Sequence, residues 1–218
     1  RTCPRIKKQV NTNMSYVTVI GNGESRKVVD LYQLQWLGET IGTNAIHRDF
    51  HPDHLVCCDR RMVQEAVNSN FENPVYTRTD WYKQFSFWSN VRRVPELPYN
   101  GDKRPDDPFQ WGSGGHALNL ACILQPEFVV MLGFDLYSTT KFVNNVYKDP
   151  KHYLNADKNP VDPSYWIYQT AKIFEHYPKV KFIQIQPDDW DPPEEWEDYD
   201  NFFIDNADSL KVLVDKNK

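Results

Sequence analysis

WGSGGHALNLACILQPEFVVMLGFDLYS, residues 111–138, holds a glycine turn, a helix and a strand in direct succession. Gly112, Gly114 and Gly115 make the turn. Ala117, Leu118, Ala121, Cys122 and Leu124 recur at the spacing of one apolar helix face, and Pro126 ends the run. Phe128–Leu132 is continuously apolar and bounded by Gly133, the pattern of a strand buried on both faces of a parallel sheet. Gly133, Asp135 and Tyr137 fall just past that strand's carboxyl end. Open α/β sheets bind their ligands at that edge. The turn 113–115 leads into a helix N-terminus, whose free N–H groups and positive dipole end suit an anion such as phosphate.

Working outward, the same alternation continues. Tyr16–Ile20 is a β-branched strand, followed by the turn Gly21-Asn22-Gly23-Glu24-Ser25. Residues 28–37 read as a helix with Val28, Leu31, Leu34 and Trp36 or Leu37 inward. Gly42-Thr43-Asn44-Ala45 is a second turn. Residues 54–58 (HLVCC) form a strand ending at Asp59, with a helix over 60–67 and a short strand at Val75–Thr77. Residues 163–176 are helical with Pro163 near the first turn, and 180–185 form a strand. Strands alternating with helices give an α/β fold: one mostly parallel sheet with helices on both faces. Residues 85–110 and 139–160 lack periodicity and flank the glycine turns. Segments of that length are read as a lid or rim of elevated mobility. Strand, glycine turn and helix also open a nucleotide-binding βα unit, but GNGES is too short for a dinucleotide fingerprint and lacks the P-loop Lys-Ser/Thr.

Composition narrows the classes. A chain of 218 residues, 40% hydrophobic, supports one sizeable core. Residues 1–13 read as a loose arm, basic but without the apolar centre of a signal peptide, ahead of a single domain over 14–218. No apolar run approaches the ~20 residues of a bilayer span. The net charge of −5, with acid concentrated in 188–200, argues against nucleic acid as a partner. That stretch reads as a solvated acidic surface anchored by Trp190 and Trp196. Cys3, Cys57, Cys58 and Cys122 form no spaced framework, so buried free thiols in a reducing, cytoplasmic setting are expected. His47, His51 and His54 lie around Pro52 and read as solvated loop histidines, not as a metal site.

GNG-x-S after the first strand, an Asn in a later turn, Ser-Gly before an Ala-rich helix, V-x-L-G-x-D-x-Y, and a later His-Tyr follow in one order over residues 16–185. That order resembles the bacterial sialyltransferases of glycosyltransferase family 42. It also resembles the wider group holding the archaeal-type hydroxymethylpterin diphosphokinases. The resemblance implies a single Rossmann-like domain with a lid, and a sugar linked to cytidine monophosphate (CMP) as donor. Gly21, Asn22 and Gly23 would line the nucleotide phosphate and ribose, with Asn44 in the same pocket and Ser113 and Gly114 at the helix start. Tyr137, Tyr153 and also Tyr147 would hydrogen-bond the departing phosphate. Phenols and helix N–H groups can stabilise such a leaving group without a metal, so no cofactor is required.

The chain departs from that pattern at three places. Glu24 stands where the family has Pro, and a carboxylate there would repel a phosphate unless turned away. Asp59 stands where a second pocket Asn is usual, as in the pterin relatives. Ala156 stands where the sialyltransferases place a histidine base, which leaves His152 as the catalytic assignment, with His116 or no base at all as alternatives. The leading reading is a transferase moving a sugar from a nucleotide donor to an acceptor hydroxyl. One alternative is diphosphoryl transfer from ATP, with Mg²⁺ held by carboxylates such as Asp59. The other is a nucleotide-binding or structural module without activity. The acceptor is not specified, and a homo-oligomer stays open. The conservative readings are that Ser113 caps its own helix and that Asp135 fixes its loop.

Overall fold

The computed structural model describes residues 15–98, 111–137, 144–147 and 162–218. Eight strands form one sheet: β1 (Tyr16–Ile20), β2 (Gly38–Thr43), β3 (His54–Val56), β4 (Val75–Thr77), β5 (Val91–Arg93), β6 (Phe128–Leu132), β7 (Lys181–Ile185) and β8 (Phe202–Asp205). Their order is β5-β4-β3-β2-β1-β6-β7-β8. Every neighbouring pair is parallel, so the sheet is wholly parallel where mostly parallel was expected. The chain runs outward from β1 to β5, returns to β6 beside β1, and then runs outward the other way. The order therefore reverses between β1 and β6, the topological switch point at which such sheets open a crevice.

The strands are buried on both faces because alternate side chains enter two separate cores. Tyr16, Ile20, Val130 and Leu132 join one, with α1 (Arg60–Asn68) and α6 (Ala207–Lys216). Val17, Val19, Val129 and Met131 join the other, with α3 (Ser113–Ile123), α4 (Ser164–His176) and Trp196 of α5 (Glu194–Glu197). A further helix, α2 (Thr79–Phe85), ends at the first residue of the stretch read as irregular over 85–110, and β5 lies within it. Residues 99–110 of that stretch, and the arm 1–13, lie outside the described residues.

Two helix readings change. Residues 28–37 are not α-helical: two 3₁₀ segments cover Glu24–Val28 and Leu31–Trp36, with Asp30 capping the second through the Tyr32 N–H at 3.1 Å. The apolar residues there, Val28, Leu31, Leu34 and Leu37, recur every three residues, which is the 3₁₀ period. Leu34 and Leu37 turn inward and Val28 is left in solvent. The helix α3 does not present a single apolar face. Residues 115–122 are all buried, because the sheet lies on one side and α4 on the other. It stops at Ile123, and Gln125 takes a left-handed φ of 56° just before Pro126.

Strand β2 went unread because GETIGT has two glycines and no apolar run. Its glycines are required by proximity: a Cβ on Gly38 would lie 2.0 Å from the Tyr16 carbonyl oxygen of β1. Among the described residues, Cys57, Cys58 and Cys122 are buried free thiols. Burial raises all three, Cys58 to about 12, so they are inert as nucleophiles. No helix among the described residues is long and apolar enough to cross a membrane. Trp196 is fully buried, and its indole N–H donates to the Ile167 carbonyl at 3.0 Å, anchoring the acidic stretch as expected.

The Gly38 contact gives a stability prediction. Gly38→Ala forces β1 and β2 apart and is expected to lower the unfolding free energy by about 1–3 kcal/mol. Glu39→Ala, on an exposed neighbour, should stay within about 0.5 kcal/mol of the parent. Urea midpoints measure both; equal midpoints would count against this packing of β1 on β2.

Candidate active-site cleft

A cavity of about 580 Å³ opens along the carboxyl ends of β4, β3, β2, β1 and β6, spanning the switch point. Its floor is made where the loops after β1 and β6 lock together. The Gly21 N–H donates to Leu132 at 2.7 Å, and the Gly23 N–H to the Gly133 carbonyl at 2.9 Å. Gly133 has φ +72°, a left-handed conformation that glycine adopts without strain. A Cβ on Gly21 would meet the Gly133 oxygen at 2.4 Å, and one on Gly23 would overlap the Asp135 carboxylate. That carboxylate accepts from the Ser25 N–H at 2.9 Å and also from the Ser25 hydroxyl. Asp135 is buried and does fix a loop, but the loop is GNGES and not its own.

A second knot joins β2, β3 and α3. Asn44 sits at φ 52° where β2 ends. The Cys58 N–H donates to the Ser113 hydroxyl at 2.9 Å, and that hydroxyl donates to Asn44 Oδ1 at 2.8 Å. With Oδ1 so engaged, the amide nitrogen is what Asn44 can offer a ligand. Ser113 is therefore not the cap of its own helix. Gly112 holds the N-cap position, without a side-chain cap, and Ser113, Gly114 and Gly115 of the first turn line the cavity.

His47 supports this knot from below. It is buried, so the reading of a solvated loop histidine fails for it; Glu65 of α1 lies 3.4 Å from its Nε2 and the Phe71 ring stands edge-on to it. Its Nδ1 lies 3.0 Å from the Asn44 carbonyl, which only accepts, so Nδ1 carries the proton. His51 instead stacks on Phe71, and His54 faces Glu39 at 3.4 Å. Among the described residues, no group of three or more His, Cys, Asp or Glu is placed to hold a metal ion.

Gly21, Asn22, Gly23 and Asn44 line the cleft, as do Asp59, Ser113 and Gly114. The Asp59 carboxylate is turned to its own helix. It accepts from the Arg61 N–H at 2.8 Å and from the Arg61 guanidinium at 2.7 Å. Tyr137 is not among the lining residues. Leu136 takes φ 60°, the Tyr137 N–H folds back onto the Asp135 carbonyl at 2.6 Å, and the ring settles 6.5 Å from that of Trp190. Tyr147 is buried, its hydroxyl held between Arg26 and Asp49, and it does not line the cleft. His116 is fully buried within α3 and does not line the cleft, which removes it as a base reaching an acceptor. His152 and Tyr153 lie outside the described residues. Glu24 is turned away: its carboxylate pairs with Lys27, and its N–H donates to Asn144 at 2.8 Å. Residues 144–147, the described part of the expected rim, are tied to the GNGES loop by that bond and by Val146 N–H to the Asn22 carbonyl at 2.8 Å.

Sequence reading missed Arg60, Arg78, Trp81, Trp166 and Gln169, all of which line the cleft. Arg60 and Arg78 each follow a strand end within a few residues. Applying the strand-end rule to every strand, not only to β1 and β6, would have named them.

The fold is sialyltransferase-like. It is similar to that of the monofunctional α-2,3-sialyltransferase Cst-I of Campylobacter jejuni, with TM-score 0.55 over 97% of this chain and 96% of that one, at 13% sequence identity. An α-2,3-sialyltransferase of Campylobacter jejuni in apo form aligns with TM-score 0.48 over 96% and 97%, at 14% identity. The sialyltransferase CstII of the same organism, in complex with the substrate analogue cytidine-5'-monophosphate, aligns with TM-score 0.46 over 80% and 81%, at 13% identity. No family model and no curated protein matches the chain.

His47 makes the site's stability depend on pH. Burial lowers its pKa from the ordinary 6.5, outweighing the Asn44 carbonyl and Glu65, which act the other way. Below pH 6.5 the unfolded imidazole binds a proton that the folded one refuses. Stability should therefore fall as pH drops from 6.5 towards the lowered folded value. His47→Gln keeps an N–H donor and cannot titrate, so it should flatten that part of the curve. Denaturation midpoints between about pH 5 and pH 7 test this; the same slope in both proteins would remove His47 from the role.

Proposed function

We propose that the chain is a glycosyltransferase that binds a nucleotide sugar, CMP-linked by the sequence resemblance, across the switch point. One observation carries the proposal: the first turn of α3, without a side-chain cap, lines the cleft together with the closely packed Gly21-Asn22-Gly23 loop. Free N–H groups at a helix start stabilise a phosphate, above all one gaining charge as it leaves. The likeness in fold to Cst-I supports the same reading.

In the reaction, a base removes the acceptor hydroxyl's proton and that oxygen attacks the anomeric carbon. The bond from this carbon to the phosphate oxygen breaks, and its electron pair leaves with CMP. The α3 N–H groups and the Asn44 amide receive the phosphate side. His152 is the base this reading assigns, on the resemblance alone, with Tyr153 as a phenol donor to the phosphate. The diphosphokinase alternative asks for carboxylates on Mg²⁺, and Asp59 is instead engaged by Arg61.

A thermal-shift series with CMP, and with ATP plus Mg²⁺, tests the reading. CMP at about 100 times its dissociation constant should stabilise the protein by about 2.7 kcal/mol. Asn44→Ala should weaken that response. His152→Ala should lower turnover of a CMP-sugar by about 10²–10⁴-fold while leaving CMP affinity nearly intact, because a base acts on the acceptor's proton. Stabilisation by ATP with Mg²⁺ and not by CMP would select the diphosphokinase alternative. No response to either would leave a module without nucleotide.

A further inference from the structure

Asn144 and Asn145 both line the cleft, and their amides are used differently. Asn144 is occupied at both ends. Its Oδ1 accepts from the Glu24 N–H at 2.8 Å, and its amide nitrogen donates to the Tyr137 carbonyl at 2.8 Å. Asn145 is occupied at one end. Its Oδ1 accepts from the Tyr147 N–H at 2.8 Å, and among the described residues nothing accepts from its amide nitrogen. A backbone N–H can only donate, so the bonded end is the oxygen and the nitrogen is left for a ligand. The next residue sets the place. The Val146 N–H donates to the Asn22 carbonyl at 2.8 Å, so Asn145 stands one residue from the loop that shares the cleft with the first turn of α3.

This short segment is anchored in the interior. Tyr147 is buried, and burial, with the Asp49 carboxylate after it, pushes its phenol well up, so the hydroxyl keeps its proton. It donates to Asp49 and accepts from Arg26 Nη2 at 2.7 Å. Arg26 is itself buried, and its Nη1 donates to the Gly21 carbonyl at 3.3 Å. One guanidinium thus ties the loop after β1 to Tyr147. We propose that Asn145 is a further ligand-binding residue, its amide N–H donating to the phosphate of the donor, and that Tyr147 is the positioning residue that holds it there. The identity of that anion rests on the nucleotide-sugar reading above. The Gly21 and Asn22 carbonyls, which would repel a phosphate, are taken by Arg26 and Val146. Asn145 adds a donor at this edge, as the Asn44 amide does from the end of β2, and a hydrogen bond to an ionised oxygen is among the stronger ones.

Calorimetry on the full chain with CMP and with cytidine tests both roles. Asn145→Asp keeps the oxygen that the Tyr147 N–H needs and puts an acceptor where the donor was. It should weaken CMP at least ~10-fold, the scale of one hydrogen bond to a charged group, and change cytidine by less than about two-fold. Tyr147→Phe leaves the Arg26–Asp49 pair in place, so the chain should fold, and it should weaken CMP by several-fold. In the Asn145→Asp background it should add almost nothing, because it acts through Asn145. Unchanged CMP affinity in Asn145→Asp, or equal losses for CMP and cytidine, would overturn the role of Asn145. Additive losses in the double variant would make Tyr147 a general support and overturn its positioning role. If the parent protein does not bind CMP, the nucleotide-sugar reading falls, and pyrophosphate on the same proteins decides the rest. Pyrophosphate binding that is lost in Asn145→Asp keeps Asn145 as an anion ligand; binding that is unchanged or absent removes it.

Discussion

The carboxylate of Asp135, held by the backbone and hydroxyl of Ser25, fixes the rest of the cleft. It joins the loop after β6 to the loop after β1, the two strands between which the sheet reverses its order. The approach is backbone to backbone. No side chain fits at Gly21 or Gly23, so the loop packs directly onto the loop after β6, its Gly21 and Gly23 N–H groups bonded to the Leu132 and Gly133 carbonyls while its residues line the cavity. The indole N–H of Trp190 donates to the Asp135 carbonyl at 2.9 Å, so the acidic C-terminal region braces the same loop from outside. Groups held this way need no reordering when a ligand arrives, which lowers the entropic cost of binding.

Ser113 makes the complementary arrangement on the other side. A serine at a helix start ordinarily caps its own helix. Here its hydroxyl bridges Cys58 and Asn44 across three elements. The first-turn N–H groups of α3 are thereby left without a side-chain cap and open to the cavity. The same bridge selects the orientation of the Asn44 amide, and His47 holds the Asn44 carbonyl from the core. A buried neutral imidazole is a good support, since it donates one hydrogen bond without bringing a charge beside the anion site.

The central strands were legible because burial on both faces writes them as unbroken apolar runs: YVTVI and FVVML match β1 and β6 residue for residue. Edge and glycine-containing strands carry no such mark. VRR and FFID are short and largely exposed, and GETIGT has glycines at Gly38 and Gly42 where the neighbouring chain leaves no room for a Cβ. Residues 24–36 show the limit of a period read in isolation. A repeat of three with turn-forming Asp30 fits 3₁₀ segments as well as a helix, and the tertiary packing of Leu34 and Leu37 decides. At the site, residue types in the glycine turns were legible and their hydrogen-bond partners were not. Ser113 to Asn44 spans 69 positions and Ser25 to Asp135 spans 110, pairings that only the sheet order creates.

Charge shows the same separation between sequence and site. The chain carries a net −5, which alone would discourage an anionic ligand. Yet each acid near the cleft is already satisfied: Asp135 by Ser25, Asp59 by Arg61, Glu24 by Lys27, and Asp80 by Arg78. What faces the cavity is therefore a set of donors, namely the α3 N–H groups, the Asn44 amide and Arg60, while Arg78 is paired with Asp80. A concave, partly apolar wall focuses the field of such groups, while the acidic exterior repels anions elsewhere on the surface. Under the proposed function, an anionic donor would meet these groups in the cleft although the protein is negative overall.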